Sequence, residues 1–451
     1  MATIAEQSEA APGGGLKRVM GRRMLLLFIV GDILGAGIYT LTGKVAGEVG
    51  GAIWLPFLVA FVLAFLTATA YAELVGKYPK AAGAALYVNR AFGRPFVTFM
   101  VAFTVMASGI TSASAAARGF GGDYLAEFVT LPVVLVAVGF VLLLAAVNLL
   151  GTKESVRVNL VLTLIEVSGL LLVIVVGVAA LLQGDGDTAR ATDFSAEGGA
   201  VLGVLGGAAL AFYALIGFED SVNMAEEVEE PQSTFPRALF LGLAITGVVY
   251  LAVALVATLL VPTDELAGST GPLLEVVRAG GIDVPAKAFA AIALVAVTNT
   301  ALLNMLMASR VVYGMANEGI VPRALATVHS TRHTPWLAIS ATTAVALVLV
   351  ATGDLAGLAD TTVLLLLLVF AAVNVSVLVL RRETVGHRHF RAPTWAPAVG
   401  AVASLVLASP VTGRDADVYV RAGVLLAAGV VLWLVNRLAV RRADSGVLSG
   451  S

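Results

Sequence analysis

Twelve apolar runs divide the sequence, near residues 24–46, 52–76, 96–125, 132–150, 155–182, 200–224, 236–261, 285–316, 335–352, 357–381, 393–411 and 417–440. At about 1.5 Å per residue, runs of this length can cross a hydrocarbon layer of about 30 Å as helix. No water satisfies the backbone inside such a layer, so each run must bond its own N–H and C=O groups. Barrel strands would be shorter and would alternate in polarity. Hydrophobic residues make up 59% of the chain and charged residues 13%, where a soluble domain carries about 25% charged. The expected fold is all-α and membrane-embedded. The third and eighth runs are long for one span and should be tilted or extend past the bilayer.

Lys and Arg set the orientation. With the N-terminus placed inside, only Lys44, Arg118, Arg190, Arg278, Lys287, Arg414 and Arg421 of the 28 cationic side chains fall outside. The inside segments hold the rest, a bias of about threefold that fits the positive-inside rule. Both termini are therefore expected in the cytoplasm and the span count is expected to be even. The domain map that follows is a tail at 1–23, spans over 24–182 and 200–382, a last pair over 393–440, and a tail at 441–451.

The first run contains Gly31-Asp32-Ile33-Leu34-Gly35-Ala36-Gly37-Ile38-Tyr39. Glycine costs roughly 1 kcal/mol against alanine in a helix, and a carboxylate at mid-bilayer costs several kcal/mol. The reading is a broken helix whose open backbone holds a ligand. The sixth run repeats the pattern in Phe212-Tyr213-Ala214-Leu215-Ile216-Gly217-Phe218-Glu219-Asp220. Here Glu226, Glu227, Glu229, Glu230, Pro231 and Pro236 are expected to end one helix and start the next. The two interruptions lie five spans apart. An odd number starts a second copy from the opposite side of the membrane, which is the arrangement of an inverted repeat, and such paired interruptions point to a transporter binding site. The LeuT-type fold is the known instance of that rule. A break frees N–H groups at the start of the following half-helix and C=O groups at the end of the preceding one. Glycine tolerates the dihedrals and uncovers the backbone. Two such breaks could grip both ends of a zwitterion.

These residues resemble the amino acid–polyamine–organocation transporters. Gly35-Ala36-Gly37-Ile38-Tyr39 with Leu41-Thr42-Gly43 matches the first-helix motif, and Tyr71-Ala72-Glu73-Leu74 with Pro79 and Gly83 matches the second span. Ala214 to Phe218 with Glu226, Glu227, Pro231 and Pro236-Arg237, then Ala308 to Ala316 and Gly319 to Pro322, follow in order. The flavour is that of bacterial relatives of the cationic amino acid transporters. The resemblance implies a LeuT-like fold of twelve transmembrane helices, with a five-plus-five inverted repeat and two further C-terminal helices. It implies amino acid uptake, usually proton-coupled. It places the substrate carboxylate on the backbone of Gly35, Ala36 and Gly37, beside Ile38. It places the amino group on carbonyls near Phe212, Ala214 and Ile216, with Gly217 alongside, and Phe212 or Phe218 closing the site from outside. Two departures stand out: Glu166 occupies the place where proton-coupled relatives often carry lysine, and Lys80 to Tyr87 is a blunted form of a glycine-rich loop.

Several intramembrane polar groups have two readings each. Asp32 shares a helix face with Gly35 and Ala36, as proton carrier, substrate contact or structural carboxylate. Glu166 stands about 16 Å into the fifth run by helix rise, near mid-bilayer, where a carboxyl that takes up and releases a proton would couple transport. The alternative is a neutral acid bonded to a neighbouring helix. Glu219 and Asp220 sit at the second break, one lining the site or a gate and the other capping a half-helix. Asn299 and Thr300, with Thr298 and Asn304, are polar at helical spacing and could face the site or serve packing. Glu73 reads as an ion-pair partner near the end of the second span.

Other function classes find little support. Cysteine is absent, which removes disulfides and thiolate chemistry. The net charge of −2 speaks against a nucleic-acid partner. There is no G-x-x-x-x-G-K-[ST] loop, no H-E-x-x-H and no G-x-S-x-G, so neither an ATP-driven pump nor a membrane enzyme is expected, and no cofactor. His387 and His389 alone do not complete a metal site. The expected partners are an amino acid, protons and the bilayer. An amine or polyamine carrier and a non-transporting sensor of the same fold are the alternatives.

Overall fold

The apolar runs fold as helices throughout. In the computed structural model of the chain, the described residues are 18, 20–80, 83–150, 156–194, 199–317, 319–330, 332 and 334–448, the side chains of 156–160 and 439–448 excepted. Most of both tails, Lys153, the Arg157 side chain and His333 lie outside them.

The first run is two helices, α1 (Arg22–Ile33) and α2 (Ala36–Val49), parted by Leu34 and Gly35. There follow α3 (Trp54–Lys77), α4 (Gly83–Phe92), α5 (Pro95–Phe120), one-turn α6 (Asp123–Ala126), α7 (Val133–Leu150) and α8 (Val156–Gln183). The sixth run is α9 (Ala200–Tyr213), continued by the 3-10 segments Ile216–Phe218 and Asp220–Glu227. Then come α10 (Pro231–Leu260), short α11 (Thr263–Gly268), α12 (Pro272–Ala279), α13 (Ala286–Asn317), α14 (Trp336–Thr352), α15 (Leu355–Leu380), α16 (Trp395–Ala408) and α17 (Ala416–Leu448). Among the described residues no strand forms, and one isolated bridge pairs Met20 with Val228.

Among the described residues nine helices are long and apolar enough to cross a membrane, or ten if the sixth run, bent by 45°, is one span. α14 and α16 are apolar but shorter. The bundle interior forms where α13 and α15 pack on α5, α10 on α3, and α2 on α9. Side chains left outside, such as Val420, Val424 and Val431 on α17, are apolar, as contact with lipid tails requires.

Three local features differ from expectation. The link between the second and third runs folds into α4 rather than staying a loop. α10 begins at Pro231, and Pro236 lies inside it; proline suits a first helical turn because its missing N–H has no intrahelical partner there. Beyond the second break the chain is 3-10 rather than α. Its polar residues compete for the backbone: Ser221 Oγ donates to the Phe218 carbonyl at 2.6 Å.

The end of α3 is clamped. Glu73, 3% exposed, accepts from Arg381 Nε at 2.9 Å, Arg381 Nη2 at 2.7 Å and the Ala392 amide at 2.8 Å. Lys77 donates to the Leu380 carbonyl and, at 2.6 Å, to that of Glu383. His387 Nε2 lies 3.0 Å from the Gly76 carbonyl.

Candidate functional site

The two interruptions touch. A Cβ placed on Gly37 would stand 2.6 Å from Cα of Ala214, and one on Gly217 would stand 2.4 Å from the Asp32 carbonyl oxygen. A Cβ on Gly35 would meet Thr300 Oγ1 at 2.3 Å, and one on Gly31 would meet Thr163 Oγ1 at 2.1 Å. None of these glycines has positive φ; Gly35 sits at −77°. The expectation that glycine supplies unusual dihedrals here is thus corrected. Its missing side chain is what counts: at Gly37 and Gly217 it admits another backbone, and at Gly31 and Gly35 a threonine side chain.

Neighbouring helices fasten the pair. The Tyr250 hydroxyl, on α10, lies 2.5 Å from the Ile33 carbonyl and 3.0 Å from the Ala214 carbonyl. It therefore bridges the last carbonyls before each break, groups that a helix end leaves unpaired. Thr300 Oγ1, on α13, accepts from the Ala36 amide at 2.9 Å, so a side chain of another helix caps α2.

A cavity with about 880 Å³ not filled by protein atoms lies at this junction. Gly35, Ala36, Gly37, Ala214, Ile216 and Gly217 line it, with Asp32, Glu219, Asp220, Asn299 and Thr300. The lining continues along α13 to Val311 and takes in Val105, Ser108 and Ser112 of α5. Four of the predicted site residues do not line it: Ile38, Phe212, Phe218 and Glu166. Ile38, Phe212 and Phe218 are fully buried. The two rings pack on Phe370, at centroid distances of 5.9 Å and 5.5 Å, and Phe218 meets Tyr71 edge-on at 6.1 Å. Such aromatic packing joins them in one ring cluster with Phe370 and Tyr71.

Glu166 stands one layer behind the cavity wall. It is 0% exposed, and its Oε1 accepts from Asn299 Nδ2 at 3.0 Å. The Tyr39 hydroxyl donates to its backbone carbonyl at 2.7 Å. Its Oε2 has no hydrogen-bond partner among the described residues, and neither has Asp32 Oδ2. Among the described residues the wall itself carries Asp32, Glu219 and Asp220 but no Lys, Arg or His. Burial of several carboxylates without a cation is costly unless something positive joins them or they are protonated.

Tyr250 and the pair of Tyr213 with Ser112, whose hydroxyls lie 3.0 Å apart, are functional candidates that sequence reasoning missed. The signal for Tyr250 was a single tyrosine in the middle of a largely apolar run.

A cavity with carboxylates in its wall where two interrupted helices meet, inside a multi-pass helical bundle, is the architecture of a membrane transporter. The chain belongs to the amino acid permease family, whose profile matches residues 21–434. It is a transporter-family protein rather than an enzyme. It is 27% identical over 389 residues to a branched-chain amino acid permease of Bacillus subtilis, covering 82% of each chain. An uncharacterized transporter of Mycobacterium tuberculosis is 31% identical over 438 residues, 96% of this chain and 94% of that one. Among solved structures, a manganese transporter of Eremococcus coleocola superposes with a TM-score of 0.55 at 14% identity, over 93% of this chain and 95% of that one. The last likeness is one of fold alone.

Proposed function

We propose that the protein carries amino acids across the cytoplasmic membrane by proton-coupled alternating access, with both termini inside. The observation that carries this reading is the contact of the two interruptions around one cavity, Gly37 against Ala214 and Gly217 against Asp32. Counting α14, α16 and the bent sixth run as spans gives the twelve helices of a LeuT-like layout. The halves are then 24–182 and 200–382, with 393–440 as an added pair. The cavity reaches from the breaks along α13 toward its C-terminal end, the side on which α5 starts. In this orientation that is the cytoplasmic side, so the state is inward-facing.

In this reading the first turn of α2 presents its amides to the substrate carboxylate, next to the Thr300 hydroxyl. The carbonyls of Phe212 and Ile216 already accept from Leu215 and Glu219 amides at 2.9 Å and 3.1 Å, and that of Ala214 faces Tyr250. A carboxylate of the wall, Asp32 or Glu219, is therefore the better partner for the ammonium group. Glu166 carries the proton, coupled to the cavity through Asn299. A second reading, a carrier of amines or cationic amino acids, is favoured by the three carboxylates of the wall, which no base among the described residues offsets.

Uptake into proteoliposomes, measured for neutral and cationic amino acids and for polyamines, with and without an inward proton gradient, tests both. Gradient-driven accumulation of an amino acid is the expected result. Flux of amines alone moves the assignment to the second reading, and no flux of any of these sinks both.

A further inference from the structure

We propose that a second site, on the face of the bundle where α3 ends, binds a phosphate group. A cavity with about 920 Å³ of empty space is lined there by Arg18, Lys77, Tyr78, Lys80, Arg90 and Glu226, with Pro79. It shares no residue with the cavity at the helix breaks. Arg18, Lys80 and Arg90 bring three cationic side chains to it against the Glu226 carboxylate, while the Lys77 ammonium in its wall is already held by the Leu380 and Glu383 carbonyls. The three come from separate stretches: the segment before α1, the residues after α3, and α4. A solvated basic face on one helix would not gather them around a single concavity.

The geometry suits an oxyanion. The Arg90 guanidinium lies over the Tyr78 ring, 4.5 Å from its centroid, which fixes the plane of its donors as phosphate recognition requires. The Tyr78 hydroxyl is held by Glu383 Oε2 at 2.5 Å, so the ring that orients Arg90 is itself anchored. Arg and Lys together offer both bidentate and point-charge contacts to phosphate.

The walls also connect to the moving parts of the proposed transport cycle, and this part of the inference rests on that reading. Arg18 lies four residues before α1, and Glu226 belongs to the 3-10 segment beyond the second break. The Met20 amide donates to the Glu227 carbonyl at 3.0 Å, and the Glu229 amide to the Met20 carbonyl at 3.0 Å. A phosphate drawn in between would brace these two segments against α3 and α4. The group could arrive on a soluble phosphate compound or on an anionic lipid headgroup.

The melting temperature of the purified protein in detergent distinguishes these sources. One series adds inorganic pyrophosphate, with sodium chloride at matched ionic strength as control. The other adds phosphatidylglycerol, with phosphatidylcholine as control. The wild type should gain ~2 °C or more near saturation, and Lys80→Gln with Arg90→Gln should lose that gain. Arg18→Gln, at an exposed position, should reduce it without disturbing the fold. A response to pyrophosphate alone identifies a soluble phosphate compound as the source; a response to phosphatidylglycerol alone identifies the headgroup. No shift with either probe, or a shift unchanged in these variants, overturns the site. Neither outcome depends on whether amino acids are transported.

Discussion

Asn299 donates from Nδ2 to Oε1 of Glu166 across 3.0 Å, and of these two residues only Asn299 reaches the cavity. Glu166→Gln keeps an oxygen that can accept this hydrogen bond and removes the titratable proton. Accumulation driven by a pH gradient should fall to background, while exchange of labelled for unlabelled substrate persists. Normal gradient-driven uptake in the variant would take Glu166 out of the coupling mechanism.

The Tyr250 hydroxyl has one proton and two carbonyls within reach, those of Ile33 and Ala214. Tyr250→Phe leaves both without it. A stability loss of about 1 kcal/mol follows from one lost hydrogen bond, and substrate turnover should drop several-fold because the breaks lose their shared fastening. Turnover equal to wild type in a reconstituted assay would show that the contact of the breaks suffices alone.

Gly37→Ala introduces a methyl at 2.6 Å from the Ala214 Cα. Overpacking of this kind costs about 1–3 kcal/mol, and the cavity between the breaks should lose its shape. Adding Ala214→Gly removes the opposing methyl, which a Cβ on Gly37 would meet at 2.8 Å. Partial recovery of thermal stability and uptake in the double variant is the expected result. Equal damage in single and double variants would show that the backbone of Ala214, not its methyl, sets the limit.

Glu73 and Arg381 form a two-pronged ion pair with both side chains largely buried. Arg381→Met leaves a buried carboxylate with only the Ala392 amide, and loss of one partner of such a pair costs about 3–5 kcal/mol. The variant should melt far below wild type, and Glu73→Gln combined with Arg381→Met should recover part of the difference. A melting curve unchanged by the single substitution would show the pair to be incidental.

Glu230 adopts φ 44° and ψ 59° at the turn into α10. Among the described residues it is the only one other than glycine with positive φ. Glu230→Gly should raise stability by about 0.5–1 kcal/mol, since glycine carries no Cβ penalty in this region. A lower melting temperature would mean that the carboxylate makes a contact outweighing that penalty.

The interruptions were legible because glycine and carboxylates are costly inside an apolar run, so Gly35 to Gly37 and Ala214 to Asp220 stood out by energy alone. The facing of individual side chains was not. Beyond Leu215 the chain runs as 3-10 segments, which turn by about 20° more per residue than α-helix. Helical spacing therefore cannot say that Glu219 faces the cavity while Phe218 packs on Phe370. Tyr250 was illegible for another reason: an isolated tyrosine in an apolar run reads as ordinary lipid or core contact until the ends of two other helices are placed beside it. The role of Thr300 as a cap for α2 needed the same third dimension, since 264 residues separate the two groups.

The breaks are held together by shape, through the bare faces of Gly37 and Gly217, rather than by the carboxylates beside them. Scaffolding and chemistry are thereby assigned to different atoms. On the proposed reading, replacing Asp32, Glu219 or Asp220 should alter what the cavity attracts and leave the contact between the breaks in place. If the wall binds the substrate as proposed, single substitutions there should change the cargo without cost to the helix contact.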